Sequence, residues 1–503
     1  MDIKLLSFLK RGIRSRRQVY LDHNATTKVS HQVRRRMNRV LKHYYGNPSA
    51  LYGIARKSAE IMETARQELA DAIHALPDEI FFTGCATESN NAVLKSLSQH
   101  FYPKKNKIIS TPIEHPSVIN TLEFLKTTGI MVEYCPVDRQ GRVSPDELEK
   151  LIDGDTFLIC CMLANNEIGT IQDIRAITKN AHQKGVLVLS DCVQAFGKIP
   201  VDVGELGIDY ASFSAHKLYG PKGVGALYVR QGSPFTPFIH GGHQESGMRA
   251  GTEGLHNIAG FGAACLEVPK HLARAEKIRG LKSLLIDRIL EIKPDCVLNS
   301  PEEDCLPNTA SITFPNMNSA GLMAILDYDG IAVSGGSACS AQEEKPSHVL
   351  KSIGLTDQAA QETLRISLGS DTSDRDIRYL SKVLRDYSDG RTLPVNMITP
   401  AQLNETLLSD EGTFILDVRP QIQRRKLKSI PNSYEASFLH IDKYLNRLPR
   451  DKNIVVVCQH GNLSLITAYY LKSKGFERVS NLLSGLNGLK TYQKYKLEKN
   501  ENR

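Results

Sequence analysis

The sequence predicts an α/β protein with a large, mostly parallel sheet domain followed by two smaller α/β units. From Tyr20 to about Arg230, short β-branched runs alternate with helical patterns, which is typical of a parallel sheet covered by helices. At 503 residues the chain is also too long for a single compact core. Near residue 390 a stretch with Gly and Pro interrupts the alternation, and we expect a domain boundary there.

The first unit carries the clearest periodic patterns. In SAEIMETARQELADAIHA, the apolar residues Ile61, Ala65, Leu69 and Ile73 recur every four positions, which predicts one buried face of a helix. The runs KIIST, FLICCM, VLVLSD and GALYV predict buried strands of the sheet.

Two further units follow. Beyond Gly260 the predicted helices lengthen, and a second α/β unit runs to about Asp389. After the break in SDGRTLPVNMITP, the runs GTFILDV and NIVVVCQHGN and a helix from Ser464 to Lys474 predict a smaller α/β domain. The expected divisions are a basic extension (1–18), a large domain (19–265), a small domain (266–390), a linker (391–398) and a C-terminal domain (399–503).

The composition is that of an ordinary soluble protein. No apolar run approaches the roughly 18 residues that a membrane span needs, and we expect no contact with a membrane. The net charge of +8 is spread along the chain without a nucleic-acid-binding motif, so we expect no direct nucleic-acid partner. The basic start, MDIKLLSFLKRGIRSRRQ, is either a frayed tail or a targeting segment. Ten cysteines form no Cys-x-x-Cys pair, so we expect no metal and a reducing cytoplasm.

Asp191 and Lys217 are the first candidate functional residues. Asp191 ends the run VLVLSD, so its carboxylate should emerge at the carboxyl end of the sheet, where α/β proteins bind ligands. Lys217 lies in ASFSAHKLYGPKG, where the Gly-Pro turn should hold it rigidly. Pyridoxal phosphate chemistry needs a lysine that forms a Schiff base and a carboxylate that keeps the pyridine nitrogen protonated. These two residues supply both groups.

The segment FFTGCATESNNAVLK supplies a candidate phosphate site. It predicts a strand, a tight turn at Gly84 and a helix that begins near Thr87, and the amides at a helix start bind anions. The Thr87 hydroxyl would add a hydrogen bond, while Ser214 and His216 approach from the lysine segment. Each motif is weak alone, but their ordered co-occurrence supports a pyridoxal phosphate site.

Nine segments, in order, resemble those of group I cysteine desulfurases, members of the class V aminotransferase family with the type I fold of pyridoxal-phosphate enzymes. They are YLDHNATT, GNPSA, GCATESNN, EHPSV, NNEIGTIQDI, DCVQAFGK, SAHKLYGPKGVGALYVR, MRAGT and SGGSACS, and they span about Tyr20 to Asp389. The resemblance implies a large sheet domain plus a small α/β domain, pyridoxal 5′-phosphate as cofactor and L-cysteine as substrate.

The same resemblance implies a role for each cofactor residue. His115 would stack on the pyridine ring and shuttle protons near neutral pH. Asp191 would pair with the ring nitrogen, Gln194 would contact the ring oxygen, and Asn166 would contact the cofactor and substrate. Thr252 would reach the phosphate of a neighbouring subunit, which implies a homodimer with shared sites. The other residues expected at the phosphate are Ala86, Thr87, Ser214, Ala215 and His216, and Lys217 would carry the cofactor.

Cys339 is the candidate nucleophile. It lies in AVSGGSACSAQEEKPSHVL, a stretch of small residues that predicts a mobile, exposed loop. Cysteines in apolar runs should instead have raised thiol pKa values and react poorly. The resemblance implies that the Cys339 thiolate removes the substrate sulfur, leaving alanine and an enzyme persulfide. Arg365, in the strand-like run ETLRISLGS, would bind the substrate carboxylate.

Several positions depart from the family's usual residues. Tyr52 and Ala55 stand where His and Gly are frequent, Cys85 precedes Ala86 where Gly is usual, and Ala215 replaces a frequent Gly or Ser. None of them is the lysine, the aspartate or the nucleophile. They bear on the phosphate site, where Ala86 and Ala215 must still allow close backbone approach.

The C-terminal domain resembles the rhodanese family, whose second strand ends in a loop that wraps a persulfide or anion with backbone amides. Cys458 begins this loop in NIVVVCQHGNLS, and the amides from Gln459 to Ser464 would form an anion nest. Leu463 stands where many rhodaneses have Arg, and Ser484 stands where a late Gly-Gly pair would begin. We therefore expect Cys458 to accept sulfur from Cys339 rather than from thiosulfate.

The sequence thus predicts an enzyme that converts L-cysteine to L-alanine and passes sulfur to acceptor proteins. An aminotransferase or a selenocysteine lyase could use the same Asp191 and Lys217, although neither would need a mobile cysteine. A catalytically silent scaffold that docks sulfur acceptors is an alternative of another class. The final acceptor stays open among iron–sulfur scaffolds, tRNA-thiolating enzymes, and thiamin or molybdenum cofactor assembly.

Overall fold

The computed structural model describes residues 18–317, 319–335, 346–389, 395–403, 412–424, 430–459 and 461–489. Within these residues the strands form sheets of seven, three, two and five members. The strands are β1 (Val19–Tyr20), β2 (Ile80–Thr83), β3 (Lys107–Ser110), β4 (Met131–Tyr134), β5 (Thr156–Cys160), β6 (Leu187–Asp191), β7 (Tyr210–Ser214), β8 (Gly225–Val229), β9 (Val297–Leu298), β10 (Thr309–Thr313), β11 (Ile331–Ala332), β12 (Thr363–Ser367), β13 (Asn396–Ile398), β14 (Thr413–Asp417), β15 (Tyr434–Glu435), β16 (Asn453–Val457) and β17 (Val479–Leu482).

Helices cover the sheets and connect their strands. They are α1 (His31–His43), α2 (Gly53–Ile73), α3 (Ala86–Phe101), α4 (Pro116–Lys126), α5 (Pro145–Lys150), α6 (Ile174–Gln183), α7 (Val203–Leu206), α8 (Leu255–Cys265), α9 (Val268–Leu272), α10 (Ala275–Ile292), α11 (Ser319–Tyr328), α12 (His348–Ser352), α13 (Asp357–Gln361), α14 (Asp374–Ser388), α15 (Gln421–Arg424) and α16 (Asn462–Ser473). None of the helices in the described part of the chain is long and apolar enough to cross a membrane.

The seven-stranded sheet has the order β2-β8-β7-β6-β5-β3-β4. The four apolar runs singled out in the sequence are strands β3, β5, β6 and β8, as predicted. β8 runs antiparallel to both of its neighbours, while the other strands run in one direction. The sheet is therefore mostly parallel, and the carboxyl ends of β5, β6 and β7 meet at one edge.

Two apolar cores cover the faces of this sheet, as its near-continuous apolar strands require. On one face, α2 buries Ala65, Leu69 and Ile73 against α8, while Ile61 is only partly buried at the margin. On the other face, Val93 and Leu97 of α3 pack against the strands. The predicted helix period is confirmed by these contacts.

A third apolar core lies between α10, α14 and the antiparallel sheet β12-β10-β9, and it belongs to the second unit. β1 pairs in parallel with β11, and Val19 and Leu21 join this core. The start of the described chain therefore packs with the second unit although it precedes the first in sequence. This crossing brings residues 22–27 over the large sheet, which matters for the site.

The third unit is a five-stranded parallel sheet with the order β13-β17-β16-β14-β15. Successive residues of β16 alternate between its two faces, since Ile454 and Val456 join one core while Val455 and Val457 join the other. Both faces are therefore covered, as parallel sheets require. The helix predicted at 464–474 is α16, which begins two residues earlier.

Candidate active site

Lys217 lies just past the carboxyl end of β7, in a short 3-10 turn. Its Nζ donates to the backbone oxygens of Asn24 (2.6 Å) and Ala25 (2.7 Å). Tyr219 follows with a φ of +59°, a left-handed conformation that costs a non-glycine residue roughly 1–2 kcal/mol. It is held there because its backbone N–H donates to Thr27 Oγ1 (2.7 Å). The chain crossing over the sheet thus fixes the lysine segment.

Asp191 is the last residue of β6 and is buried near Lys217. Its Oδ2 accepts from Asn90 Nδ2 (3.1 Å) and its Oδ1 from the backbone N–H of Val193 (3.0 Å). His115 caps α4, with Nδ1 accepting from the N–H of Ser117 (3.1 Å). Burial lowers the pKa of His115, and Asp191 only partly opposes this effect. A neutral imidazole and a carboxylate therefore face the same space.

At the expected phosphate site, the backbone of β8 comes close to the start of α3. α3 begins at Ala86, and a Cβ built on Gly225 of β8 would lie 2.8 Å from the Ala86 nitrogen and 2.6 Å from the carbonyl carbon of Cys85. Glycine is therefore required in β8 for the helix start to sit there. Ala86 is the first helical residue, so it takes a conformation open to any residue, and the departure at this position introduces no backbone strain.

The other residues predicted at the phosphate lie at the end of β7, on the first turn of α3 and farther along the chain. Ser214 is buried at the end of β7, next to Ala215, and Thr87 is exposed on the first turn of α3. His216 Nδ1 lies 3.1 Å from Thr26 Oγ1. Burial, and then the nearby lysines, lower the pKa of His216 to about 4, so this imidazole is neutral near pH 7. Thr252 is exposed in the single chain.

Arg365 is buried in β12, with 2% of its surface exposed. Its Nη2 donates to Asp22 Oδ1 (2.8 Å) and its Nη1 to the backbone oxygen of Asn166 (3.0 Å). Its Nε has no hydrogen-bond partner among the described residues. An enclosed guanidinium with spare donors is suited to a carboxylate ligand. Asp22, which the sequence reasoning missed, belongs to the quoted motif YLDHNATT.

Cys339 lies outside the described residues, but the chain on both sides of it is described. Before it, Ser334 exchanges two backbone hydrogen bonds with Arg365 (2.7 and 3.2 Å). After it, Ser347 Oγ donates to Glu167 Oε2 (2.5 Å). Ser334 therefore lies beside Arg365, and Ser347 lies beside Glu167, which directly follows Asn166 in the chain.

Glu114 is a functional-site neighbour that the sequence reasoning did not single out. Its Oε1 accepts from the N–H of Met162 (2.8 Å) and the hydroxyl of Thr111 (2.8 Å). Burial raises its pKa to about 8. Its backbone oxygen lies 2.9 Å from His348 Nε2. The only sequence signal was its position in EHPSV.

Cys458 directly follows β16, at the head of a loop as the sequence predicted, and it is buried. Its sulfur accepts from the N–H of Gly461 (3.1 Å) and the hydroxyl of Ser464 (3.2 Å). Gly461 has a φ of +90°, which favours glycine. Leu463 is partly buried against the core of this unit. The sulfur thus meets a backbone amide and a hydroxyl.

Comparison with known families gives two matches along the chain. A model described as aminotransferase class-V matches residues 19–380, and one described as rhodanese-like domain matches residues 399–491. No group of three or more His, Cys, Asp or Glu side chains suited to a metal ion occurs among the described residues.

Curated relatives and solved structures match the first two units. A cysteine desulfurase IscS of Dictyoglomus turgidum is 42% identical over 373 residues, covering 73% of this chain and 94% of that protein. Cysteine desulfurase 1 of Trichormus variabilis is 40% identical over 369 residues, covering 73% and 92%. The structure of a NifS-like protein is 40% identical with a TM-score of 0.70, covering 74% of this chain and all of that one. The structure titled SspA in complex with cysteine is 36% identical, with a TM-score of 0.63 and coverages of 70% and 99%.

Proposed function

The chain belongs to the class-V aminotransferase family and carries a C-terminal rhodanese-like domain, and from this premise we propose that it is a cysteine desulfurase that uses pyridoxal phosphate. It converts L-cysteine to L-alanine and keeps the sulfur on the enzyme. The observation that carries the proposal is the buried Arg365, whose Nε has no partner among the described residues. Its Nη1 donates to the same Asn166 oxygen as Asn24, which in turn accepts from Lys217 Nζ. A carboxylate-binding cation beside an amine and a carboxylate suits an amino-acid substrate.

The residues present fit pyridoxal phosphate. The glycine-lined approach of β8 to the start of α3 leaves helix amides for a phosphate group. The buried carboxylate of Asp191 suits a protonated ring nitrogen, and neutral His115 suits a stacked ring. The residues that would hold the group are Ala86, Thr87, His115, Asn166, Asp191, Gln194, Ser214, Ala215, His216 and Lys217. When bound, the cofactor supplies an electron sink for charge on the substrate's α-carbon.

The chain's own groups divide the remaining work. Arg365 binds and orients the substrate carboxylate, with Asn166 beside it. Lys217 Nζ holds the cofactor and afterwards takes up or returns a proton at the substrate's α-carbon. His115 holds or moves a proton at the substrate's amino or thiol group, because its pKa is lowered and its imidazole is neutral.

We propose Cys339 as the nucleophile that removes the sulfur. Its thiolate attacks the sulfur of the substrate, the carbon–sulfur bond breaks with its electron pair left on the carbon side, and a persulfide forms. A proton on that carbon completes alanine. Support comes from Ser334 and Ser347, which flank Cys339 in sequence and contact Arg365 and Glu167 of the site.

The outer sulfur of this persulfide then passes to Cys458. The Cys458 thiolate attacks the outer sulfur of the Cys339 persulfide, and Cys339 leaves as a thiolate, so no outside oxidant or reductant is needed. Gly461 N–H and the Ser464 hydroxyl would then stabilise the sulfur on Cys458. In support, α16, which follows Cys458, lies against α11 of the second unit. Sulfur-acceptor proteins would take the sulfur from there.

Absorbance and product analysis test the desulfurase proposal. The purified protein with added cofactor should show an absorbance band that Lys217→Ala lacks, and it should form alanine from cysteine. Cys339→Ala should keep the band but lose desulfuration, while Cys296→Ala, a buried cysteine outside the site, should retain both. A protein without the band would instead be a scaffold. Undiminished turnover by Cys339→Ala would indicate an aminotransferase.

Mass spectrometry of trapped persulfides tests the relay. With cysteine as donor, the wild-type protein should carry persulfide on both Cys339 and Cys458, and Cys339→Ser should carry it on neither. Thiosulfate should load Cys458 poorly, because Leu463 supplies no cation. Loading of Cys458 from cysteine in Cys339→Ser would contradict the relay. Activity with selenocysteine in the same assay decides between the two lyase substrates.

Three further features complete the proposal: the domain divisions, the oligomeric state and the cellular setting. We propose the domain divisions 19–265, 266–390 and 399–503, with 391–398 as linker, supported by the separate apolar cores, although Val19 and Leu21 pack in the core of the second unit. We propose a homodimer in which the exposed Thr252 serves the neighbouring site. We propose a reducing, cytoplasmic setting, because nine cysteines of the described chain are free thiols.

A further inference from the structure

Lys198 is a lysine in the site that the proposed reaction does not use. It lies four residues beyond Gln194, and its Nζ donates to Gln194 Oε1 (2.5 Å) and Asn24 Oδ1 (3.0 Å). Part of the side chain reaches the surface, but its amine is enclosed. Burial, and then Lys217 and Arg365, lower the pKa of Lys198 well below its usual value. Enclosing the Lys198 amine beside the cations Lys217 and Arg365 costs free energy. The two hydrogen bonds of this amine therefore point to a role that offsets the cost.

The contacts of Gln194 fix the direction of its amide group. Its Nε2 donates to the backbone oxygen of Asn24 (3.0 Å), and a carbonyl oxygen can only accept. On the other side, Lys198 presents N–H donors to Gln194 Oε1. Both contacts require the same orientation, with oxygen toward Lys198. The second hydrogen of Nε2 is then directed away from Lys198.

Asn24 joins this amide to the other groups of the site. Its backbone oxygen accepts from both Gln194 and Lys217. Its Oδ1 accepts from Lys198 and from Asn308 Nδ2 (3.0 Å). The Nδ2 group of Asn24, which is buried, donates to the backbone oxygen of Asn166 (3.2 Å). Asn24, from the crossing segment, thus contacts these five residues, and Lys198 is bonded to its side chain.

We propose that Lys198 is a positioning residue that orients Gln194, so that Gln194 Nε2 faces the ring oxygen of the cofactor. The inference rests on the proposed function, because the contact between Gln194 and the ring oxygen is part of it. Without the amine, the Gln194 oxygen loses its donor, and only the contact of Nε2 with the Asn24 oxygen still holds the amide against turning. A turned amide would place oxygen against oxygen at the cofactor.

Substitution by methionine removes the donors and keeps the length of the side chain. Lys198→Met should bind pyridoxal phosphate about tenfold more weakly to the cofactor-free protein, which corresponds to one lost hydrogen bond to an ionised ring oxygen. The absorbance maximum of the bound cofactor should shift. Lys282→Met is the matched control, because buried Lys282 donates to the backbone oxygen of Leu306 (3.0 Å) away from the site. This control should keep the cofactor affinity and absorbance maximum of the wild-type protein.

A double-mutant cycle separates positioning from general loss of structure. In a Gln194→Leu background, Lys198→Met should weaken cofactor binding less than twofold further, because the amide that it orients is gone. An equal loss in both backgrounds, or a loss matched by Lys282→Met, would overturn the proposal. If Lys198→Met does not fold, Lys198→Gln, which keeps an N–H donor, should fold and bind within about threefold of wild type. A wild-type protein without cofactor absorbance or alanine formation would refute the proposed function itself.

Discussion

The two regions that we propose to handle sulfur, around Lys217 and around Cys458, use charge in opposite ways. Around Lys217, several charged groups are enclosed together, including Asp191, Lys198 and Arg365. Around Cys458, the sulfur meets a backbone amide and a hydroxyl. Next to this loop, Arg419 Nη1 donates to Gln459 Oε1 (3.3 Å), and Arg419 and Asp417 are wholly buried and bonded to each other.

This difference follows from what each region has to stabilise. A reaction on an amino acid develops charge at several atoms, and placed charges in a water-poor site stabilise it strongly. A sulfur that is only held carries one charge, which amide and hydroxyl dipoles can satisfy. We therefore expect that removing a charged side chain abolishes the reaction in the region around Lys217, and that it prevents folding in the unit that contains Cys458.

The largest effect is expected from Arg419→Met in the rhodanese-like unit. The change leaves the Asp417 carboxylate buried without its bidentate partner, which typically costs about 3–5 kcal/mol of stability. The urea concentration at which buried Cys458 reacts with a thiol reagent should fall accordingly. Alanine formation from cysteine should be unchanged.

The double variant Arg419→Met with Asp417→Leu is the control for this prediction. Replacing both partners removes the uncompensated charge, so much of the lost stability should return. An equal or larger loss in the double variant would mean that the pair contributes through packing and not through charge, and the comparison would weaken.

The second effect is on substrate binding by Arg365. Arg365→Gln should lower kcat/KM for cysteine about 100-fold, the equivalent of about 2.7 kcal/mol for a charge-assisted contact. The cofactor absorbance should persist. Arg230→Gln, which breaks a partly exposed ion pair with Asp209 (3.5 Å), should leave the kinetics unchanged. An unchanged KM in Arg365→Gln would show that another residue binds the carboxylate.

The third effect concerns acid stability of the first region. His23 is buried, and burial lowers its pKa to about 4, below the usual 6.5. Because the folded-state pKa is depressed, the neutral form is favoured in the folded state. Stability present above pH 6.5 is therefore lost as the pH falls toward 4.

Urea unfolding at pH 7.0, 5.5 and 4.5 tests this dependence. His23→Gln should lose about 1–2 kcal/mol less than the wild-type protein across this range, after allowance for solvent near the neighbouring exposed Asp371. His243→Gln, at an exposed position, should follow the wild-type curve. If His23→Gln and the wild-type protein lost the same free energy of unfolding across this pH range, His23 would not be a source of the acid sensitivity.

The sequence was informative where a residue's role depends on its own strand or turn. Asp191 was predicted at the end of a strand, and Cys458 at the head of a loop, because apolar runs and glycine are local signals. The same signals located β8 but not its direction, since strand direction depends on pairing with β2 and β7. Local pattern therefore fixes elements better than their arrangement.

The residues that the sequence did not reveal act through long-range contacts. Asn24 bonds to groups near residues 166, 194, 217 and 308, and no spacing rule connects positions so far apart. Lys198 was not singled out from the sequence. Its enclosure depends on the crossing of residues 22–27, which follows from the pairing of β1 with β11. Only the assembled chain shows this arrangement.

The smallest effect is expected at Ser484 of the rhodanese-like unit, where the family usually has glycine. Ser484 has a φ of +58°, a conformation that costs a serine about 1 kcal/mol or more, while glycine adopts it freely. Glycine also gains entropy in the unfolded chain, so Ser484→Gly should stabilise the unit by only about 0.5 kcal/mol. Ser437→Gly, at a φ of −54°, should destabilise it by a similar amount, because nothing is relieved there. Cys458 reactivity in urea measures both variants, and if Ser484→Gly were the less stable of the two, the serine side chain would contribute more than its backbone strain costs.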